Sequence, residues 1–375
     1  MAGLYIHIPF CKSRCIYCAF YSTTDFQWRQ RYVDAVCREI EMRETTPNPS
    51  TRERDIKTIY IGGGTPSQLT PSLLYQIFDV IHQTYTPPYL ETTIEVNPDD
   101  VTADYATTLS QLGINRVSMG AQTFDDQRLR FLHRRHTADQ VSLAVQYLRN
   151  AGIRNISIDL MYGFPNESLA DWANDIEAAL ALNVEHISAY CLSIEEGTPL
   201  YQWATDNGEW TMDEELERQM YELLTDKLEA AGYEHYEISN FAKPGFRSHH
   251  NSSYWQNIPY IGIGAAAHSY DGKSRSWNVS DLKTYIETIE RRERPYEEEL
   301  LDDDTLYNDR ITTALRTCEG LDLTTLLPVH RHYCEKEAQR FLDGGLLRRE
   351  GDRLILTRQG LFVSDYIMSS LIYIK

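Results

Sequence analysis

Basic residues are in short supply: the 375-residue chain has 36 Lys and Arg against 55 Asp and Glu, a net charge of −19. Broad, sequence-independent binding to nucleic acid needs clustered cations, so the balance argues against that class, a local basic groove aside. No run of about 18 apolar residues is present, and no membrane-spanning helix or direct membrane insertion is expected. The N-terminus, MAGLYIHIPFCKSRC, lacks the basic start and long apolar stretch of a secretory signal, so a cytoplasmic location is expected. The seven cysteines do not form a disulfide framework: Cys37, Cys191, Cys318 and Cys334 are scattered, and only Cys11, Cys15 and Cys18 cluster. Without a signal, such clustering favours metal or redox chemistry in a reducing compartment. With 42% hydrophobic and 24% charged residues, a sizeable core is available and whole-chain disorder is excluded.

Six β-branched or aromatic runs, at 4–8, 57–61, 92–96, 115–119, 155–160 and 185–190, read as strands. Amphipathic stretches near 27–44, 71–85, 102–112, 137–151 and 168–182 separate them, and another follows at 213–231. This alternation implies βαβ units and a parallel α/β sheet, and periodicity alone leaves a barrel and an open doubly wound sheet both possible. In either, chemistry belongs at the carboxyl ends of the strands. Three segments are expected: a core at 1–235, an irregular, aromatic-rich extension at 236–295, and a C-terminal unit at 296–375. A mixed-charge helix is expected near 281–292. The acidic run Glu297–Glu299 and Asp302–Asp304 reads as a solvated linker. The last 55 residues suggest a small winged-helix-like α+β domain. Its eight Lys/Arg and seven Asp/Glu leave too little charge for a DNA footprint, which favours a structural or lid-like role.

CKSRCIYC places three thiols on the loop after the first strand, and three thiolates can hold zinc or an iron–sulfur cluster. Zinc would want a fourth ligand; no second Cys or His pair lies nearby, although His7 is within sequence reach. Three protein ligands on a four-iron cluster leave one iron for an exogenous chelator.

CX3CX2C in this position resembles the radical SAM superfamily, whose fold would here be a partial (β/α)6 barrel. The resemblance implies a 4Fe-4S cluster on Cys11, Cys15 and Cys18, with S-adenosylmethionine (SAM) completing the fourth iron. Reduction of that cluster in the family cleaves SAM to a 5′-deoxyadenosyl radical, while the protein positions and shields the cofactor. Gly62-Gly63-Gly64-Thr65-Pro66, a turn that lets backbone N–H groups approach a ligand, is similar to the family's GGGTP segment. The spacing of Glu95, Gln122, Arg134 and Asp159 resembles the SAM-contacting set of the oxygen-independent coproporphyrinogen III oxidase branch. That resemblance also places Tyr5, Tyr17, Gly63, Gly64 and Thr65 at the SAM site. Arg134 is suited to hold a carboxylate through paired hydrogen bonds; Arg135 is the better candidate for a surface arginine.

Two features separate branches. The oxidases carry CX3CX2CXC after a long N-terminal extension; here Phe20 stands where the fourth cysteine would be, and ten residues precede Cys11. His250-Asn251-Ser252-Ser253-Tyr254-Trp255 fits the HNXXYW pattern of the haem chaperone branch. Imidazole is a good axial ligand, and Tyr254 and Trp255 offer flat faces to a porphyrin. The resemblance thus implies a cytoplasmic protein that binds haem and delivers it to acceptor proteins, among them membrane-bound respiratory proteins. The iron ligand stays open between His250, His249 and Cys318, and SAM is either cleaved or regulates docking. Oxidative decarboxylation of coproporphyrinogen III is the alternative activity.

Overall fold

The computed structural model describes residues 2–44, 56–208 and 210–374. Its framework is six strands: β1 (Ala2–Ile8), β2 (Ile56–Gly63), β3 (Glu91–Val96), β4 (Arg116–Gln122), β5 (Asn155–Tyr162) and β6 (His186–Cys191). They are parallel neighbours in chain order. Between them run α1 (Arg29–Glu44), α2 (Pro71–Thr84), α3 (Ala103–Gln111), the short α4 (Asp126–Phe131), α5 (Ala138–Asn150) and α6 (Leu169–Ala181). After β6 come α7 (Pro199–Asp206) and α8 (Glu214–Ala230). Caps fix several helix starts; in α6, Ser168 accepts from the Asp171 N–H while Asp171 accepts from Ser168.

Strand alternation divides the sheet's two faces. Leu4, Ile6 and Ile8, Ile59 and Ile61, and Ile156, Ile158 and Leu160 are fully buried in the core shared with the helices. The intervening positions carry Tyr5 and His7, Thr58 and Tyr60, Thr93 and Glu95, Arg116 and Ser118, Ser157 and Asp159. One face therefore makes the core, and the period of two delivers polar side chains to the other.

Beyond residue 235 the structure corrects the irregular reading. β7 (Glu234–Glu237) and β8 (Asn240–Ala242) extend the sheet beyond β6. Then follow α9 (His249–Trp255), β9 (Tyr260–Ile263), β10 (His268–Tyr270), β11 (Ser274–Asn278), α10 (Leu282–Glu290) and β12 (Tyr296–Leu300). β9 pairs in parallel with β1, giving the order β12-β11-β10-β9-β1-β2-β3-β4-β5-β6-β8-β7. These strands are only three to five residues long, too short to show a period among turns.

The acidic linker is corrected too. Glu297–Glu299 lie in β12, an exposed edge strand paired with β11, where charge discourages further strand addition. Asp302 caps the next helix, accepting from the Thr305 N–H.

The C-terminal unit comprises α11 (Asp303–Ala314), β13 (Leu321–Asp322), α12 (Pro328–Asp343), β14 (Leu347–Glu350), β15 (Arg353–Leu356), α13 (Arg358–Leu361) and α14 (Ser364–Leu371). Its three-stranded sheet, β13-β15-β14, closes on a separate core of Ile311, Leu315, Cys334, Phe341, Ile367 and Leu371, a winged-helix-like arrangement. Arg331 and Arg349 on this unit pair with Asp352 and Glu335.

Candidate cofactor site

The carboxyl ends of β1 to β5 surround a cavity of about 200 Å³. Cys11, Cys15 and Cys18 all line it, on the loop between β1 and α1. Cys11 is held at the back, where the Thr65 hydroxyl donates to its Sγ at 3.4 Å; Cys15 Sγ lies 3.6 Å from Arg134 Nη1. Burial raises the thiol pKa of Cys11 and of Cys18, a penalty that metal coordination removes by deprotonating the sulfur outright. Among the described residues, no three Cys, His, Asp or Glu converge around a single-ion position; the three thiols share a cavity rim instead.

Of the nine side chains and glycines expected around SAM, eight line this cavity: Tyr17, Gly63, Gly64, Thr65, Glu95, Gln122, Arg134 and Asp159. Tyr5 does not. It sits below the rim, its hydroxyl 3.0 Å from His7 Nδ1 and its ring 6.2 Å from that of Tyr60.

Local backbone explains the glycines. Gly63 adopts φ +107°, and a Cβ there would overlap the His7 ring. The Gly63 N–H donates to Glu95 Oε2 at 3.0 Å, while the Tyr60 hydroxyl donates to Glu95 Oε1 at 2.8 Å. Burial pushes the Glu95 pKa up to about 7, opposed by the Tyr60 hydrogen bond and reinforced by Asp159. Burial also raises Asp159, which accepts from the Ser118 hydroxyl at 3.4 Å. Gln122 takes φ 68°, uncommon for a residue with a Cβ, where the β4–β5 register shifts.

Arg134 is anchored but not saturated. Its Nη2 donates to the Gly120 carbonyl at 2.6 Å and to Asn97 Oδ1 at 2.8 Å, whereas its buried Nε has no partner. An orphaned guanidinium donor beside three thiols suits an anionic group such as the SAM carboxylate. Arg135 instead pairs with Asp99 at 2.8 Å and Asp100 at 3.1 Å. The residues present therefore fit a cluster with SAM. Bound there, the pair would supply one-electron reduction and a carbon-centred radical, and Glu95, Asp159, Arg134 and the Gly63–Thr65 turn would hold the nucleoside and amino-acid ends.

His7 is not a metal ligand in this arrangement. It is buried, its Nε2–H donates to the Tyr21 carbonyl and its Nδ1 shares a hydrogen bond with Tyr5. Burial lowers its pKa to about 4, so it stays neutral. Phe20 lines the cavity mouth and is 71% exposed, an unusual position for a large apolar side chain.

The HNSSYW segment is α9, placed on the amino-terminal side of β3 rather than at the cavity. Glu91 fastens it, accepting from the His249 N–H at 2.9 Å, the His250 N–H at 3.0 Å and the Ser248 hydroxyl at 3.3 Å. His250 is fully buried, with Nδ1 2.9 Å from Thr58 Oγ1 and Nε2 2.8 Å from the Tyr254 hydroxyl. Burial and the nearby Arg116 lower its pKa to about 3. Trp255, by contrast, lines a surface cleft together with Arg247, whose guanidinium lies 3.7 Å from the thiol of exposed Cys318.

Sequence reasoning missed Tyr60, Asn97 and Arg116. Arg116 is 1% exposed, and its Nε and Nη1 have no partner; its charge opposes the upward shifts of Glu95 and Asp159. Asn97 was within view, two positions after Glu95. Arg116 gave no signal, because an arginine opening a strand ordinarily faces solvent.

Comparison with known proteins agrees with this geometry. Residues 5–179 match the radical SAM superfamily and residues 301–363 the HemN C-terminal domain. In fold, the chain is similar to the coproporphyrinogen III oxidase HemN from Escherichia coli, with a TM-score of 0.85 over 99% of this chain and 90% of that one, at 21% identity. In sequence it is 35% identical to the heme chaperone HemW of Bacillus subtilis over 99% of both chains. It is 33% identical to that of Mycobacterium tuberculosis over 99% of this chain and 94% of the relative. No helix among the described residues is long and apolar enough to cross a membrane. With the three-cysteine loop, the glycine turn and the acids of β3 and β5 gathered on one cavity, and relatives aligned from end to end, this chain belongs to the HemW family of radical SAM proteins.

Proposed function

We propose that this protein is a haem chaperone: it binds haem and passes it to acceptor proteins. The observation that carries the reading is the full-length kinship to HemW proteins in a chain where exposed Phe20 occupies the fourth-cysteine position. The HNSSYW segment supplies the haem-facing element, divided by burial. Trp255 meets the porphyrin at the surface, while His250 and Tyr254 form the frame that holds α9 against the sheet. The SAM set comprises Tyr17, Gly63, Gly64, Thr65, Glu95, Gln122, Arg134 and Asp159, with Tyr5 supporting it from below. The acceptors are membrane-bound respiratory proteins, reached through protein contact from the cytoplasm; a thiol-ligated cluster is consistent with that reducing compartment.

An anaerobic titration of the cluster-reconstituted protein with haem, followed by addition of an apo-acceptor, tests this. Saturation near one haem per chain and transfer to the acceptor is the expected result. Absence of saturable binding, with conversion of coproporphyrinogen III to protoporphyrinogen IX, would replace the reading by the oxidase activity.

A further inference from the structure

A second cleft, of about 380 Å³, opens between α9 and the C-terminal unit. Trp255 and Arg247 lie on one side; Arg310, Glu319, Asp322 and Arg353 lie on the other. On a chain of net charge −19, these walls carry three guanidinium groups against two carboxylates. The carboxylates are already engaged. Glu319 pairs with Arg247 at 2.6 Å, and Asp322 accepts from Arg353 at 3.3 Å and from the Thr324 N–H and hydroxyl. Arg310 donates to an uncharged partner, the Thr325 carbonyl, and forms no ion pair among the described residues. Arg247 also pairs with Glu234, so among the described residues Arg310 is the guanidinium of these walls that has no ion-pair partner.

Its remaining walls suit a flat ring. Trp255 is half-buried there, with the Arg316 guanidinium 4.7 Å from its ring centroid, and Tyr236, Ala314 and Leu321 add apolar surface. The indole Nε1 and Arg316 Nε are buried donors without partners, each an uncompensated cost beside this cleft. A planar aromatic body with carboxylates at one edge answers both features: the ring covers Trp255 and the carboxylates take the guanidinium charge.

We propose that this cleft is where the chain recognises a porphyrin, with its two propionates held by Arg310 and Arg353 and its ring face against Trp255. The inference rests on the haem reading above, which put Trp255 against the porphyrin, and adds the residues that hold the propionates and with them a basis of selectivity. The cleft takes the propionate edge and part of the ring, leaving the rest outside and open to an acceptor. Because its walls come from two units of the fold, a relative shift of the C-terminal unit would loosen the grip.

The test uses the full, cluster-reconstituted chain titrated anaerobically with iron protoporphyrin IX and, separately, with its dimethyl ester, read at the Soret band. The free acid should bind at least about tenfold more tightly, the factor expected for one charge-assisted hydrogen bond. The Arg310→Gln/Arg353→Gln variant should lose that advantage while keeping wild-type affinity for the ester and a cooperative thermal transition. Trp255→Leu should weaken both porphyrins. Equal affinity of the wild type for acid and ester, or unchanged acid binding by the double arginine variant, would overturn the cleft while leaving haem binding intact. Failure of the wild type to bind either porphyrin would overturn the haem reading itself.

Discussion

The imidazole of His250 stacks on the ring of Tyr60, their centroids 5.1 Å apart and their planes 29° from parallel. Tyr60 in turn donates to Glu95, which accepts from the glycine turn of the SAM cavity. The HNSSYW segment and the cofactor cavity are thereby joined through one side chain, across the polar face of the sheet. Substituting His250 should therefore be felt at the cavity. His250→Ala removes the stacking partner and leaves Thr58 and Tyr254 without theirs; a several-fold loss of SAM affinity is expected. Isothermal titration of SAM into the reconstituted variant checks it, and Tyr60→Phe should act in the same direction. Unchanged SAM affinity in both variants would mean that the stack transmits nothing.

Loss of any loop cysteine should abolish the cluster. Cys18→Ala leaves two thiols on the cavity rim, and iron and sulfide content after anaerobic reconstitution should fall to background. Cys37→Ser, altering a buried thiol in the α1 core, should leave the content unchanged.

Glu95 should impose a pH dependence on stability. Its folded pKa of about 7 lies above its ordinary value of 4.5, so the folded state holds the proton more tightly than the unfolded chain. This contribution is full below about pH 4.5 and is lost as pH rises through about 7. Glu167, also raised to about 7 by burial, contributes with the same sign. Between pH 4.5 and 8 the fall in melting temperature of the SAM-free protein should be shallower in Glu95→Gln than in wild type. Parallel curves would refute the assignment.

Glu91 holds α9 with three donors from Ser248, His249 and His250. Glu91→Ala should cost about 2–3 kcal/mol, as expected for a buried charged acceptor removed from its donors. Urea unfolding measures the loss, and haem affinity should fall with it because Trp255 rides on the same helix.

Gly63→Ala places a Cβ at φ +107° against the His7 ring. Strain of about 1–3 kcal/mol is expected from the backbone alone. SAM binding should be lost at temperatures where the variant remains folded by circular dichroism.

Much of the scaffold was legible in the residues. The six parallel strands and their helices appear within about three residues of their expected limits, because buried parallel strands and amphipathic helices have strong, distinct periods. The strands after Tyr233 escaped because their pairing depends on partners far away in the chain: β9 on β1, and β8 on β6. The acids of β12 show the same limit, since a charged edge strand and a solvated linker look alike without the neighbouring strand.

For the site, the local sequence determined the chemistry. Three thiols at fixed spacing after a strand, a glycine turn after the next and acids on later strands are set by covalent order. Those residues arrive at one cavity because parallel strands end on the same side. What each side chain does with its neighbours was decided only by the tertiary structure. His250 and Trp255 are five residues apart in one motif, yet packing buries the first against Tyr60 and turns the second toward a cleft with Arg310 and Arg353. Sequence spacing specifies which residues share a helix; burial, which requires the rest of the fold, assigns each its task.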